Sequence, residues 1–174
     1  MSFLLPHRHD ALSIRRAVPA DAAAIARVHV QSWREAYHGI IPEPYLQRLS
    51  LPAHEQQWRR SFAEGGWAFV AEWERRIVGF ASGGLSRARR DISGELYVLY
   101  VLRACHGRGI GRALFDACHY ELARCGHRGL LVWVLEDNRT ARGFYEHLGG
   151  ELAGRSLVSI AGKQLSEVAY AWPD

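Results

Sequence analysis

A chain of 174 residues with 48% hydrophobic and 23% charged side chains has ordinary globular proportions, which excludes disordered and fibrous classes and leaves one compact domain. Its formal net charge of +4 suits an anionic ligand, but the arginines form no long basic stripe with interleaved aromatics, so nucleic acid is not an expected partner. No apolar run approaches the roughly 20 residues of a membrane span, and the first residues lack the charged-then-apolar order of a signal peptide, so a cytoplasmic protein with no membrane partner is expected.

Residues 1–10 read as a flexible tail ahead of a single domain over 11–174. His7 and His9 in the tail lack a third ligand nearby. Alternation over 11–18 predicts a first strand, after which Pro19 and Asp21 open a helix. That helix carries Ile25, Val28, His29, Ser32, Trp33 and Ala36 on one stripe and stops at Gly39. A second helical region is predicted over 42–64, broken at Pro52. Two strands, 67–73 and 76–85, are joined by the two-residue turn Glu74-Arg75. Arg87, Arg89 and Arg90 then sit in one loop.

The next stretch, GELYVLYVLRACHGRGIGRAL from Gly94 to Leu114, joins an apolar strand to a glycine-spaced turn and an amphipathic helix. Strict alternation predicts Leu96, Val98 and Tyr100 on one face of the strand, with Tyr97, Leu99 and Val101 on the other. First-turn N–H groups of a helix lack intrahelical partners and the helix dipole favours negative charge, so the turn is a candidate anion site. Gly107, Gly109 and Gly111 remove side chains from the approach. The string is neither a P-loop nor a dinucleotide fingerprint, because the third glycine of the latter would fall at Arg112.

Leu114, Ala117, Cys118, Leu122 and Cys125 predict one buried helix stripe. The nearly wholly apolar 129–135 predicts a strand covered on both faces. Asn138 suits an N-cap for a helix bearing Ala141, Phe144, Tyr145 and Leu148, ended by Gly149. A closing hairpin is predicted over 156–160 and 163–172. Three cysteines without a CxxC spacing give no zinc site or disulfide frame, and no metal is expected.

Val101 followed by His106, Gly107, Arg108, Gly109 and Gly111 resembles the pyrophosphate-binding motif of the GNAT family of N-acetyltransferases, V-x-x-x-x-[QR]-x-x-G-x-[GA], with His106 where that family has Arg or Gln. Asn138, Ala141, Phe144, Tyr145 and Gly149 are similar to a second signature of the family, N-x-x-A-x-x-F-Y-x-x-x-G. The resemblance spans about residues 11–172. It implies an α/β fold, with a mixed, mostly antiparallel sheet of about seven strands, helices on both faces, and a splay between the fourth and fifth strands.

It further implies acetyl-CoA as co-substrate, held by Leu99, Val101, His106, Gly107, Arg108, Gly109, Gly111, Arg112 and Asn138. Tyr145 is the implied general acid and Glu95 the implied base. The first two helices of such enzymes wall the acceptor site, which makes Trp33 and Tyr37 candidate substrate contacts. The implied reaction is direct acetyl transfer to a primary amine of a small molecule, in a branch resembling polyamine acetyltransferases. A peptide or protein N-terminal acetyltransferase and a non-catalytic acyl-CoA sensor are the alternatives. A homodimer is expected from the resemblance.

Overall fold

The structure is a computed structural model that describes residues 12–87 and 92–173. The expected tail over 1–10, and Arg89 and Arg90 of the arginine loop, lie outside the described residues. The chain opens with β1 (Ser13–Arg16), a 3-10 turn (Pro19–Asp21), α1 (Ala22–Ala36), α2 (Glu43–Gln47) and α3 (Leu51–Ala63). It continues through β2 (Phe69–Trp73), β3 (Arg76–Leu85) and β4 (Gly94–Val101) to a second 3-10 turn (Arg103–Cys105). The remainder is α4 (Ile110–Arg124), β5 (Leu130–Leu135), α5 (Arg139–His147), β6 (Glu151–Ile160) and β7 (Lys163–Trp172).

Local chemistry sets several of these boundaries. The Asp21 carboxylate accepts the Val18 N–H at 2.8 Å and ion-pairs with Arg15, fixing the entry to α1. Ser50 caps α3 by accepting the Ala53 N–H, and Pro52 falls in that helix's first turn. The break in the 42–64 region therefore lies just before Pro52, not at it. The strand predicted to begin at 156 begins at Glu151, so β6 is ten residues long.

Seven strands form one sheet in the order β1-β2-β3-β4-β5-β7-β6, and every neighbouring pair is antiparallel except β4 and β5. Those two run parallel and pair only at Gly94–Leu130, Glu95–Leu131 and Leu96–Val132. Beyond Leu96, β4 follows β3 while β5 follows β7, so the two strands part. This is the splay that the family resemblance implied.

Strict alternation along β4 does not hold. Ser82 pairs with Val98 and Gly83 with Leu96, which leaves Tyr97 as an extra, exposed residue in a β-bulge. The bulge reverses the facing of everything after it. Leu96 shares a cluster with Leu99 and Val101, while Val98 and Tyr100 face the opposite layer.

α4 and α5 cover the back face, where Ile110, Leu114, Phe115, Cys118, Leu122 and Tyr145 pack on Leu96, Leu130, Val132, Val168 and Tyr170. Each of the large side chains fully buried there contributes on the order of 2 kcal/mol. Cys125 does not join them: it is exposed at the C-terminal cap of α4, because the helix has already left the sheet. On the front face, α1 and α3 bring Ile25, Val28 and Trp58 onto Val70 and Phe80. Further along, α2 and the α1 terminus place Leu46, Trp33 and Tyr37 against Leu135 and Leu165. Among the described residues no helix is long and apolar enough to cross a membrane.

Candidate active site

The turn before α4 is built by backbone conformation. Gly107 and Gly109 adopt φ of +72° and +77°, a region that a side chain disfavours, and a Cβ at either would meet no atom within 4 Å. Gly109 is the N-cap of α4, so the first-turn amides point out of a 15-residue helix into open space. Gly111 has a different reason to be glycine. A Cβ there would lie 3.1 Å from the Phe144 ring, so the residue lets α4 and α5 close together.

The side chains near the turn are arranged around it. His106 Nε2 bonds the Val101 carbonyl oxygen at 2.8 Å, so the imidazole braces the turn against the end of β4. The Arg108 guanidinium lies 5.1 Å over the Trp73 ring, and Arg112 stands 3.7 Å from Asp116 across one helical turn. Asn138 caps α5 by accepting the Ala141 N–H at 3.1 Å.

Next to this turn is the gap between β4 and β5. Leu99 and Val101 lie on the part of β4 that has no strand partner on its β5 side. Tyr145, on the back-face helix α5, is buried, and its phenol is electrostatically coupled to Tyr37 on the front face. Tyr37 in turn bonds the Tyr100 hydroxyl at 3.0 Å. Tyr37, at the C-cap of α1, thus bonds one phenol of β4 and acts electrostatically on that of α5. Burial, then the neighbouring Tyr37, raises the Tyr145 pKa above the usual phenol value, so its proton stays on across neutral pH.

Sequence reasoning placed Trp33, Tyr37 and Tyr145 in the site but had no role for Tyr100. The bulge at Tyr97, which turns Tyr100 towards α1, left no mark on the residue pattern. Trp33 packs edge-on against Tyr37 at 5.1 Å. Its Nε1, buried without a geometrically good acceptor, lies against the Tyr100 hydroxyl closely enough to lower that group's pKa slightly, against the larger upward effect of burial. His29, on the same stripe, stacks on Tyr100 at 5.4 Å and meets His54 at 4.8 Å. Burial, then His54, pushes its pKa down to about 4, which leaves a neutral ring inside an aromatic layer.

Glu95 sits where β4 and β5 are still paired. It is 3% exposed and accepts both the Arg87 N–H at 2.8 Å and the Arg87 guanidinium at 2.7 Å. It shares the front face with Glu167 of β7, whose carboxylate is coupled to both Glu95 and Arg87. Among the described residues no group of three or more His, Cys, Asp or Glu side chains gathers as a metal site.

An open glycine turn at a helix N-terminus thus stands at the end of a strand, β4, that parts from its parallel neighbour. The chain belongs to the acetyltransferase (GNAT) family, which it matches over residues 29–150, and it is a GNAT-type N-acetyltransferase. It is 38% identical over 165 residues to the uncharacterized N-acetyltransferase YuaI of Bacillus subtilis, covering 94% of each chain. It is 36% identical over 128 residues to the 5-NmdU N-acetyltransferase of Pseudomonas phage PaMx11, covering 67% of this chain and 87% of that one. Its fold is shared with the PaiA N-acetyltransferase of Thermoplasma acidophilum, solved in complex with coenzyme A, at a TM-score of 0.69 and 19% identity, covering 90% of this chain and 98% of that one.

Proposed function

We propose that the protein moves the acetyl group of acetyl-CoA directly to a primary amine of a small molecule, with both substrates held at once. Acetyl-CoA supplies an activated acetyl thioester, and the residues present fit it. Gly107 and Gly109 leave their surroundings clear, and the α4 amides behind them suit a diphosphate. Gly111 extends that run of amides into the helix, Arg108 and Arg112 add positive charge, and His106 holds the turn in shape. The unpaired edge of β4 at Leu99 and Val101 offers backbone groups to the pantetheine arm, as does Asn138 from the start of α5.

The observation that carries the proposal is the buried Tyr145 phenol, close enough to Tyr37 for its charge to be felt, with Tyr37 hydrogen-bonded to Tyr100 of β4. A phenol kept protonated there donates a hydrogen bond to the departing sulfur. A thiol has a pKa of about 8.5, below that of the buried phenol, so Tyr145 stabilises charge on the sulfur more than it surrenders its proton. Glu95, the implied base, accepts from Arg87 through both oxygens and so fixes the wall of the acceptor side. The ammonium gives one proton to water before attack. As the C–N bond forms and the C–S bond breaks, the second nitrogen proton goes to the departing thiolate, releasing the amide and the CoA thiol.

A small acceptor is favoured over an extended peptide by the β6–β7 hairpin. Its tip is tied to the turn after α1 by Lys163 Nζ on the Ile40 carbonyl at 2.9 Å, and Leu165, Val158 and Ile160 pack on Ile41 and Leu46. This closes one flank of the acceptor side. Replacing Tyr145 by Phe is expected to lower kcat by about a hundredfold or more while leaving CoA affinity nearly unchanged. Thiol release and calorimetry measure the two quantities, and unaltered turnover would remove Tyr145 from the mechanism.

A further inference from the structure

The front face of the sheet carries a carboxylate, Glu167, that makes no hydrogen bond or ion pair among the described residues. Glu167 is half-buried in β7, between Leu165, which packs on the Trp33–Tyr37 end of α1, and Ala169, which packs on Trp133. Cross-strand register places it opposite Leu135 of β5, with Trp133 as its same-face diagonal neighbour. Burial, then the charge of Glu95, raises its pKa, while Arg87 pulls it the other way.

The surrounding carboxylates differ in being engaged. Glu35 accepts from Gln31 and the Arg103 N–H, Glu43 faces His38, Glu95 holds Arg87, and Glu136 holds Arg155. A polyamine brings several ammonium groups, and beyond the first any that reach Glu35, Glu43, Glu95 or Glu136 would compete with a partner already in place. Near neutral pH an alkylamine arrives almost wholly as ammonium, its pKa being about 10.4. One such carboxylate, diagonal to Trp133 and two residues along β7 from Leu165, which packs with Trp33 and Tyr37, matches one such charge on a flat apolar frame.

Resting on the acetyltransferase reading above, we infer that the acceptor is a monocationic amine on an aromatic or flat apolar skeleton, and that Glu167 is the residue that binds its ammonium. The side chain acts by positioning the nitrogen, while the rings of Trp33, Tyr37 and Trp133 take the skeleton. Specificity thus comes from a single charge plus ring surface.

The test compares the full-length protein with Glu167→Gln and Glu167→Asp. Calorimetry on CoA-saturated protein measures binding of tryptamine, of the uncharged tryptophol and of spermidine, and thiol release measures KM and kcat for tryptamine, phenethylamine and spermidine. Tryptamine is expected to bind about tenfold or more tighter than tryptophol and spermidine. Glu167→Gln should raise the tryptamine KM about tenfold with CoA affinity and Tm unchanged, and Glu167→Asp should recover part of the loss. Preference for spermidine, or a Glu167→Gln protein with unaltered tryptamine binding, overturns the inference. If CoA binds but no amine releases thiol, the acetyltransferase proposal fails, while the tryptamine and tryptophol arms still decide whether Glu167 holds an ammonium. A Glu167→Gln protein with a lowered Tm is judged, well below its melting temperature, on its ratio of tryptamine to tryptophol affinity, where loss of the preference supports the inference and a ratio equal to the parent's overturns it.

Discussion

Two residues at the β2–β3 turn hold an unfavourable backbone in full view of the solvent. Glu74 and Arg75 have φ of +49° and +62°, both in the left-handed region that the right-handed twist of a two-residue hairpin demands. A side chain there costs on the order of 1 kcal/mol or more per residue. Replacing the pair by Asn-Gly is therefore expected to raise stability by about 1 kcal/mol, after allowing for the greater freedom glycine gives the unfolded chain. Thermal melting should show a rise of about 2–4 °C in Tm. The position of this turn could be read from the sequence, since two alternating runs flank it, whereas its strain could not. Glu95 illustrates the same limit: its place at the start of β4 was legible, but its Arg87 partner comes from the loop after β3, at a distance no periodicity encodes.

At the scale of elements, the helices and most strands followed from hydrophobic period, and the N-cap of α5 from Asn138 itself. The bulge did not, because an inserted residue in an all-apolar strand leaves the composition of both faces looking sound. Its cost falls on the partner strand. Gly83 faces Leu96 at the register shift, and a Cβ on it would stand 2.6 Å from the Glu95 carbonyl oxygen. Backbone cannot yield as a flexible side chain would. Gly83→Ala is expected to destabilise the protein by about 2–3 kcal/mol, visible as a lower denaturant midpoint with little change in m-value. A midpoint within error of the parent would mean that the bulge relaxes freely. Gly111 shows the converse, a glycine legible as part of an anion-binding motif whose contact with Phe144 serves the packing of two helices.

For the molecule as a whole, an edge strand and a back-face helix are joined by charge. The Glu121 carboxylate of α4, 7% exposed, pairs with Arg16 of β1 at 2.7 Å and with Arg124 of its own helix at 2.9 Å. Hydrogen bonding from Arg124 first, against some desolvation and helped by Arg16, lowers its pKa from 4.5 to about 2. A depressed carboxylate adds stability that is fully present above its unfolded pKa and disappears as pH falls through the folded one. Glu121→Gln should thus melt below the parent at pH 7, with the difference shrinking between about pH 4.5 and 2. A gap independent of pH would assign the loss to packing instead. The sheet itself has an uneven seam: three residue pairs join β4 to β5, against seven between β3 and β4 and six between β5 and β7. Mechanically this makes two stiff plates on a short hinge. An extended molecule lying along the open part of that hinge acts as a splint, so the stiffness of the entire domain becomes a measure of what lies within it.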